Sequence, residues 1–210
     1  MKHRILTSAM LLMLVGLGGC ASMNANECLL GDWHTIGFED GSQGYTTERL
    51  GEHRKACAKH GVAPDFVAYR AGRDEGLREF CQPARGFSLG ESGYRYNGVC
   101  SVDLEANFLD AYRRGQQLYG LRSSVNEVNR AIDARRKELS NVEQQIRDTE
   151  ALLISAETSS EDRILALVDL KELSEAAGRL DAEIVALVED RVGHEQDLAS
   201  YEALLADSGY

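Results

Sequence analysis

Arg49, His53, Cys57 and His60 fall on one face of the helical stretch that follows Thr47. Side chains of these types in that pattern suggest a metal or acid–base site. Two histidines seven residues apart lack the four-residue step of a helical zinc pair, and a cysteine held in a disulfide is no ligand. Asp40, Asp65, Asp74 and Glu75 supply enough carboxylates for acid–base attack on a glycosidic bond. Their places at helix starts point instead to capping. The chain contains no Gly-x-Ser-x-Gly elbow, Ser-x-x-Lys pair, His-Glu-x-x-His helix or phosphate loop. We therefore expect no catalytic residue, no metal site, no cofactor and no enzyme. Trp33, Asp40 and Tyr96 remain as candidates for gripping a sugar or peptidoglycan fragment.

The other reactive side chains are cysteines. Lys2, His3 and Arg4 precede an apolar run from Ile5 to Leu17, and Leu17-Gly18-Gly19-Cys20 resembles the lipobox of a bacterial lipoprotein signal. The apolar run is shorter than the roughly 20 residues a spanning helix needs. The expectation is a signal peptide over residues 1–19, cleavage before Cys20, and acylation of that cysteine, palmitate included. Each buried CH₂ of the acyl chains would contribute about 0.8 kcal/mol of membrane anchoring. In the lipoproteins this segment resembles, Asp after the cysteine signals retention in the inner membrane; with Ala21 there, the resemblance implies a lipid-anchored chain on the periplasmic face of the outer membrane.

Cys28, Cys57, Cys81 and Cys100 are an even set confined to the first half of the chain. In an oxidising compartment they imply two disulfides, and their wide spacing lacks the close pairs that zinc sites use. Three connectivities are open, and an internal similarity chooses among them. Gly37-Phe38, Gly41 and Gly44-Tyr45 recur forty-nine residues on as Gly86-Phe87, Gly90 and Gly93-Tyr94, and Cys57, Tyr69-Arg70 and Gly72 recur forty-three on as Cys100, Tyr112-Arg113 and Gly115. This reads as a degenerate repeat with six residues deleted from its second copy, pairing Cys28 with Cys57 and Cys81 with Cys100. A competing alignment sets Gly37 to Gly41 against Gly72 to Gly76, with Asp40 and Glu75 in step.

These residues need a scaffold. Asp32 and Thr47 are positioned to cap short helices, Gly61 to end the second, and Pro64 to open a third through Phe66, Tyr69, Leu77 and Phe80. Residues 86–99, dense in glycine and aromatics, suggest a short β-hairpin from Phe87 to Tyr96. From Ser101 the character changes. Leu118, Leu121, Val125, Val128, Ile132, Arg135, Leu139, Val142, Ile146, Thr149 and Leu153 advance by alternating threes and fours. The rhythm resumes from Leu170 through Leu180, Ile184, Leu187 and Leu198 to Leu205. Such heptads predict an antiparallel coiled-coil hairpin. Arg135 and Arg191 interrupt the seam as register-setting polar residues.

The expected architecture is mainly α: a lipidated tether over 20–27, a disulfide-stapled, glycine-rich helical base over 28–101, and a coiled-coil hairpin over 102–207 turning near 156–161. Val185, Val188 and Val192 exceed what one seam requires and mark a further packing surface, either for the chain's own base or for a partner, another envelope protein or a second copy of the chain.

Without residues 1–19 the chain carries 21 basic and 34 acidic side chains, which disfavours phosphate backbones and excludes nucleic acid as a partner. The acidity is concentrated in the second predicted arm, with 4 basic and 13 acidic residues between Glu161 and Asp207.

Asp32-Trp33, Gly37, Asp40-Gly41, Gly44, His53, Cys57, Gly61-Val62, Pro64-Asp65, Tyr69, Gly72-Arg73, Gly76-Leu77, Cys81, Gly86-Phe87, Tyr96 and Gly98-Val99-Cys100 together resemble a domain-of-unknown-function family of Gram-negative outer-membrane lipoproteins. The resemblance implies an envelope lipoprotein and carries no activity with it.

Overall fold

Asp32 accepts from the His34 backbone N–H at 3.0 Å and Asp65 from those of Val67 and Ala68, each at 3.0 Å, so both start helices by satisfying donors the helix itself leaves unpaired. Asn24 and Glu27 close a reciprocal capping box around a shorter one. The computed structural model describes residues 23–207, and the expected signal segment and Cys20 lie outside them. The described residues form α1 (Ala25–Leu30), α2 (Trp33–Ser42), α3 (Glu48–Ala58), α4 (Phe66–Phe80), α5 (Pro83–Glu91), α6 (Val102–Ile154) and α7 (Ser160–Asp207), with no strand among them. None of these helices is long and apolar enough to cross a membrane.

The described residues divide into two compact units, with the boundary between Phe80 and Cys81. In the first, α2 packs along α4 with Gly37 and Gly41 facing Gly72 and Gly76. A Cβ on any of the four would run into a backbone carbonyl of the opposite helix, at Tyr69, Arg73, His34 or Phe38. The glycines are therefore what lets the two backbones touch. Helix α1 begins inside the segment read as a tether, and Met23 is buried with its sulfur 3.8 Å from that of Cys57. Cys28, Trp33, Ala56, Cys57 and Tyr69 complete this core.

The second unit repeats the arrangement. Where a hairpin from Phe87 to Tyr96 was expected, residues 83–91 are helix α5, opened by Pro83, and it packs on the start of α6. Gly90 and Gly115 make the close approach, against the carbonyls of Tyr112 and Phe87. Glycine density here serves contact between helices rather than a turn between strands.

The repeat is real, but its offset differs from the one read in the sequence. Gly37, Gly41 and Gly76 meet Tyr69, Arg73 and Phe38; Gly86, Gly90 and Gly115 meet Phe108, Tyr112 and Phe87. The first helices are thus offset by forty-nine residues and the second by thirty-nine. Gly76 corresponds to Gly115, and the second copy is ten residues shorter rather than six. The competing alignment fails because Gly37 and Gly41 pack across from Gly72 and Gly76 instead of being their counterparts. After α2 and α5 the chain turns identically: Gly44 and Gly93 take positive φ of 75° and 71°, and the Tyr45 and Tyr94 backbone N–H groups bond back to the carbonyls of Asp40 and Leu89. The disulfides sit correspondingly, Cys28 with Cys57 over 29 residues and Cys81 with Cys100 over 19.

Beyond the second copy, α6 runs on and α7 returns antiparallel to it after a turn at residues 155–159. Arg163 closes that turn by donating to the carbonyls of Ser155 at 2.7 Å and Thr158 at 3.2 Å. Leu118, Ile132, Leu180 and Leu205 are buried in the seam. Arg122 reaches Glu202 at 3.1 Å, and Arg135 reaches Glu183 at 2.8 Å across the pair. Arg135 thus acts as a flanking ion pair setting register, while Arg191 pairs with Glu195 on its own helix at 3.5 Å.

Candidate functional site

The first unit contains a buried polar network centred on Asp40. Helix α2 presents this carboxylate between α3 and α4. Its Oδ2 lies 2.7 Å from His53 Nε2 and accepts at 2.7 Å from the Tyr69 hydroxyl, and Arg49 Nε stands 3.6 Å from Oδ1. Asp40, His53 and Tyr69 are all buried. Burial alone would push the Asp40 carboxyl up, but bonds from His53 and Tyr69 and the charges of His53 and Arg49 outweigh it. The group is held below its ordinary value of 3.8. The Tyr69 hydroxyl moves the other way, raised by burial and then by the neighbouring carboxylate. Arg73, buried on α4, donates to the Tyr45 carbonyl at 2.8 Å, and Arg49 lies over the Tyr45 ring, 4.8 Å from its centroid.

A cleft of about 240 Å³ opens beside this network, lined by Met23, Ile36, Asp40, Tyr45, Arg49 and His53 among others. It is smaller than the roughly 300–1,000 Å³ usual for small-molecule sites. Asp40 is an ionised, multiply bonded acceptor with no nucleophile in the network. Its arrangement suits holding three helices together, and no group of three or more metal-ligating side chains occurs among the described residues.

The other sequence candidates separate. Trp33 is a core residue of the first unit, so its ring packs rather than presents. Tyr96 belongs to the second unit. Its ring lies 4.8 Å from that of Phe108, its hydroxyl donates to Glu105 at 3.1 Å, and it accepts from the Cys100 N–H at 2.9 Å. Of the histidine face, Arg49 and His53 join Asp40, Cys57 is in its disulfide and His60 is exposed. Tyr69 and Arg73 were missed as network members. Their partners lie 29 and 28 residues away, beyond any local pattern in the sequence.

On α7 the residues facing α6 are those of the heptad seam. Val185, 59% exposed, and Val192, 43% exposed, lie on the opposite face with Ile164 and Val168, while Val188 is half-buried at the seam's edge.

Fold and site together define a helical protein built from two glycine-paired, disulfide-stapled hairpins, the second extended into a long coiled-coil arm. Residues 32–117 match the family model of a protein of unknown function, DUF2799. That span begins at the Asp32 cap of α2 and ends two residues past Gly115, so it covers both copies of the repeat and leaves the rest of the arm outside. No curated protein and no solved structure matches the chain.

Proposed function

We propose that this is a non-enzymatic cell-envelope lipoprotein, held through acylated Cys20 on the periplasmic face of the outer membrane, whose helical arm binds a protein partner. The supporting observation is the face of α7 turned away from α6. It carries Ile164, Val168, Val185 and Val192 exposed on a helix whose other side is already packed, in two apolar patches separated by Lys171 and Glu175, and exposed apolar surface of this kind marks an interaction site. Photocrosslinking in cells from positions 168 and 185 of the full-length chain tests the reading. Protein adducts are expected from both positions and not from an acidic flank position such as 190. Absence of adducts at every position along the face would end it. Labelling with a palmitate analogue tests the anchor: label lost in Cys20→Ser supports it, and an unlabelled wild-type chain overturns it.

A second reading places a small cell-wall fragment in the Asp40 cleft. It is favoured by one observation, that the network beside the cleft has no counterpart in the second copy of the repeat. Calorimetric titration with peptidoglycan fragments would show binding that Arg49→Ala weakens, and failure of every fragment to bind would discard it.

A further inference from the structure

The exposed face of α7 contains two glycines that the fold of the single chain does not use. Gly41, Gly76, Gly90 and Gly115 each bring two helix backbones into contact, whereas a Cβ on Gly178 or Gly193 would meet nothing within 4 Å. An interior glycine costs a helix about 1 kcal/mol relative to alanine, and nothing within the chain offsets that at these positions. Gly178 lies on the same side of α7 as Ala182, Val185 and Val192, each exposed.

We infer that this face packs antiparallel against the same face of a second copy of the chain, which rests on the partner-binding reading above and names the partner. Charge decides both the occupant and the direction. The stripe carries Lys171, Glu175 and Glu189; Lys171 stands 3.7 Å from Glu175 on its own helix, and Lys171 and Glu189 are placed symmetrically about residue 180. A two-fold axis there sets Lys171 of each copy against Glu189 of the other, Val168 against Val192, Glu175 against Val185, and Gly178 against Ala182, where the small residues permit close approach and Lys171 lies between Glu175 of its own chain and Glu189 of the other. A parallel pair would instead set lysine on lysine and glutamate on glutamate, which is repulsive. The antiparallel arrangement uses one patch twice and closes on itself, as a two-fold dimer requires. A basic partner would be drawn to the acidic flanks of α7 and would leave the small-residue stripe without a use.

The test uses the full-length chain in cells with a photoreactive residue at position 182. A product of twice the chain mass is expected, with both crosslinked peptides from α7. Lys171→Glu should lower its yield about tenfold, since two attractive pairs become repulsive, and Lys171→Glu with Glu189→Lys should restore it. Gly178→Leu, at a position open in the single chain, should abolish the product while leaving helicity unchanged. Adducts only to other proteins would overturn the second copy as occupant and keep the partner-binding reading. No adduct from any position on the face would remove both. A dimer insensitive to Lys171→Glu and Gly178→Leu would overturn this packing.

Discussion

The two copies of the helical hairpin solve one packing problem with different chemistry at its centre. In the first, Asp40 and Tyr69 meet through a buried hydrogen bond. At the corresponding positions the second has Leu89 and Phe108, so carboxylate and hydroxyl are lost together. Arg73, which donates to the Tyr45 carbonyl in the first copy, is replaced by Tyr112, whose hydroxyl donates to the matching Tyr94 carbonyl at 2.9 Å. His53 has no counterpart, because the ten residues missing from the second copy remove α3. Three of the four glycine contacts, at Gly37, Gly41 and Gly76, recur at Gly86, Gly90 and Gly115 and therefore belong to the fold, while Gly72 is replaced by Ala111. The charged network belongs to the first copy alone, and the hairpin forms without it. Buried polar groups are stable only as complete sets, which explains why the pair changed together.

The largest effect expected is at the shared contacts. Gly76→Val and Gly115→Val both place a side chain where the opposite backbone already is. Each should destabilise its unit by about 3 kcal/mol or more, seen in urea unfolding as a large fall in midpoint or loss of the transition. Tolerance of valine at one position but not the other would break the equivalence of the two hairpins.

Asp40→Ala should come next, at about 3 kcal/mol, because it strands the Tyr69 hydroxyl and takes the carboxylate from His53 in the interior. Asp40→Leu with Tyr69→Phe, the combination the second copy already carries, should cost less than the sum of its single changes by about 1–2 kcal/mol. Strict additivity would show that the hydrogen bond does not couple these positions. The same carboxylate sets a pH dependence. Its folded pKa lies below 3.8, so between that folded value and about pH 5 the unfolded chain binds more protons and stability rises with pH. The contribution is complete above the unfolded pKa and is lost as pH falls through the folded one. Thermal unfolding followed down to pH 2.5 should show this loss in the wild type, and Asp40→Asn should remove that part of the slope.

What could be read in the sequence was what repeats locally. The seam from Leu118 to Leu205 follows from a heptad period visible residue by residue, and the disulfide pairs follow from one cysteine on either side of each glycine-aromatic segment. Helix α5 was misread because Gly86, Gly90 and Gly93 look like turn residues until a facing helix is present to need them. The repeat offset was misread by matching Tyr69 to Tyr112. Identity of type was misleading, because Tyr112 does the work of Arg73. The Asp40 network was invisible for a plainer reason: its members come from three helices, and no local pattern connects a carboxylate to a hydroxyl 29 residues away.

The smallest expected difference concerns the staples. In the chain-entropy picture each disulfide contributes roughly 3 kcal/mol, and the dependence on loop length is logarithmic. Cys28–Cys57 closes 29 residues and Cys81–Cys100 closes 19, so the first should be worth only about 0.4 kcal/mol more. Paired serine replacements at each bridge, compared by urea unfolding, should therefore cost nearly the same. A gap of 2 kcal/mol or more would mean that the staples do more than shorten the unfolded chain. If the larger cost fell on Cys28–Cys57, the cause would lie in the folded first unit, where the Cys57 sulfur packs against Met23 and α3 carries both the staple and His53. That result would tie the disulfide to the polar network that only the first hairpin has.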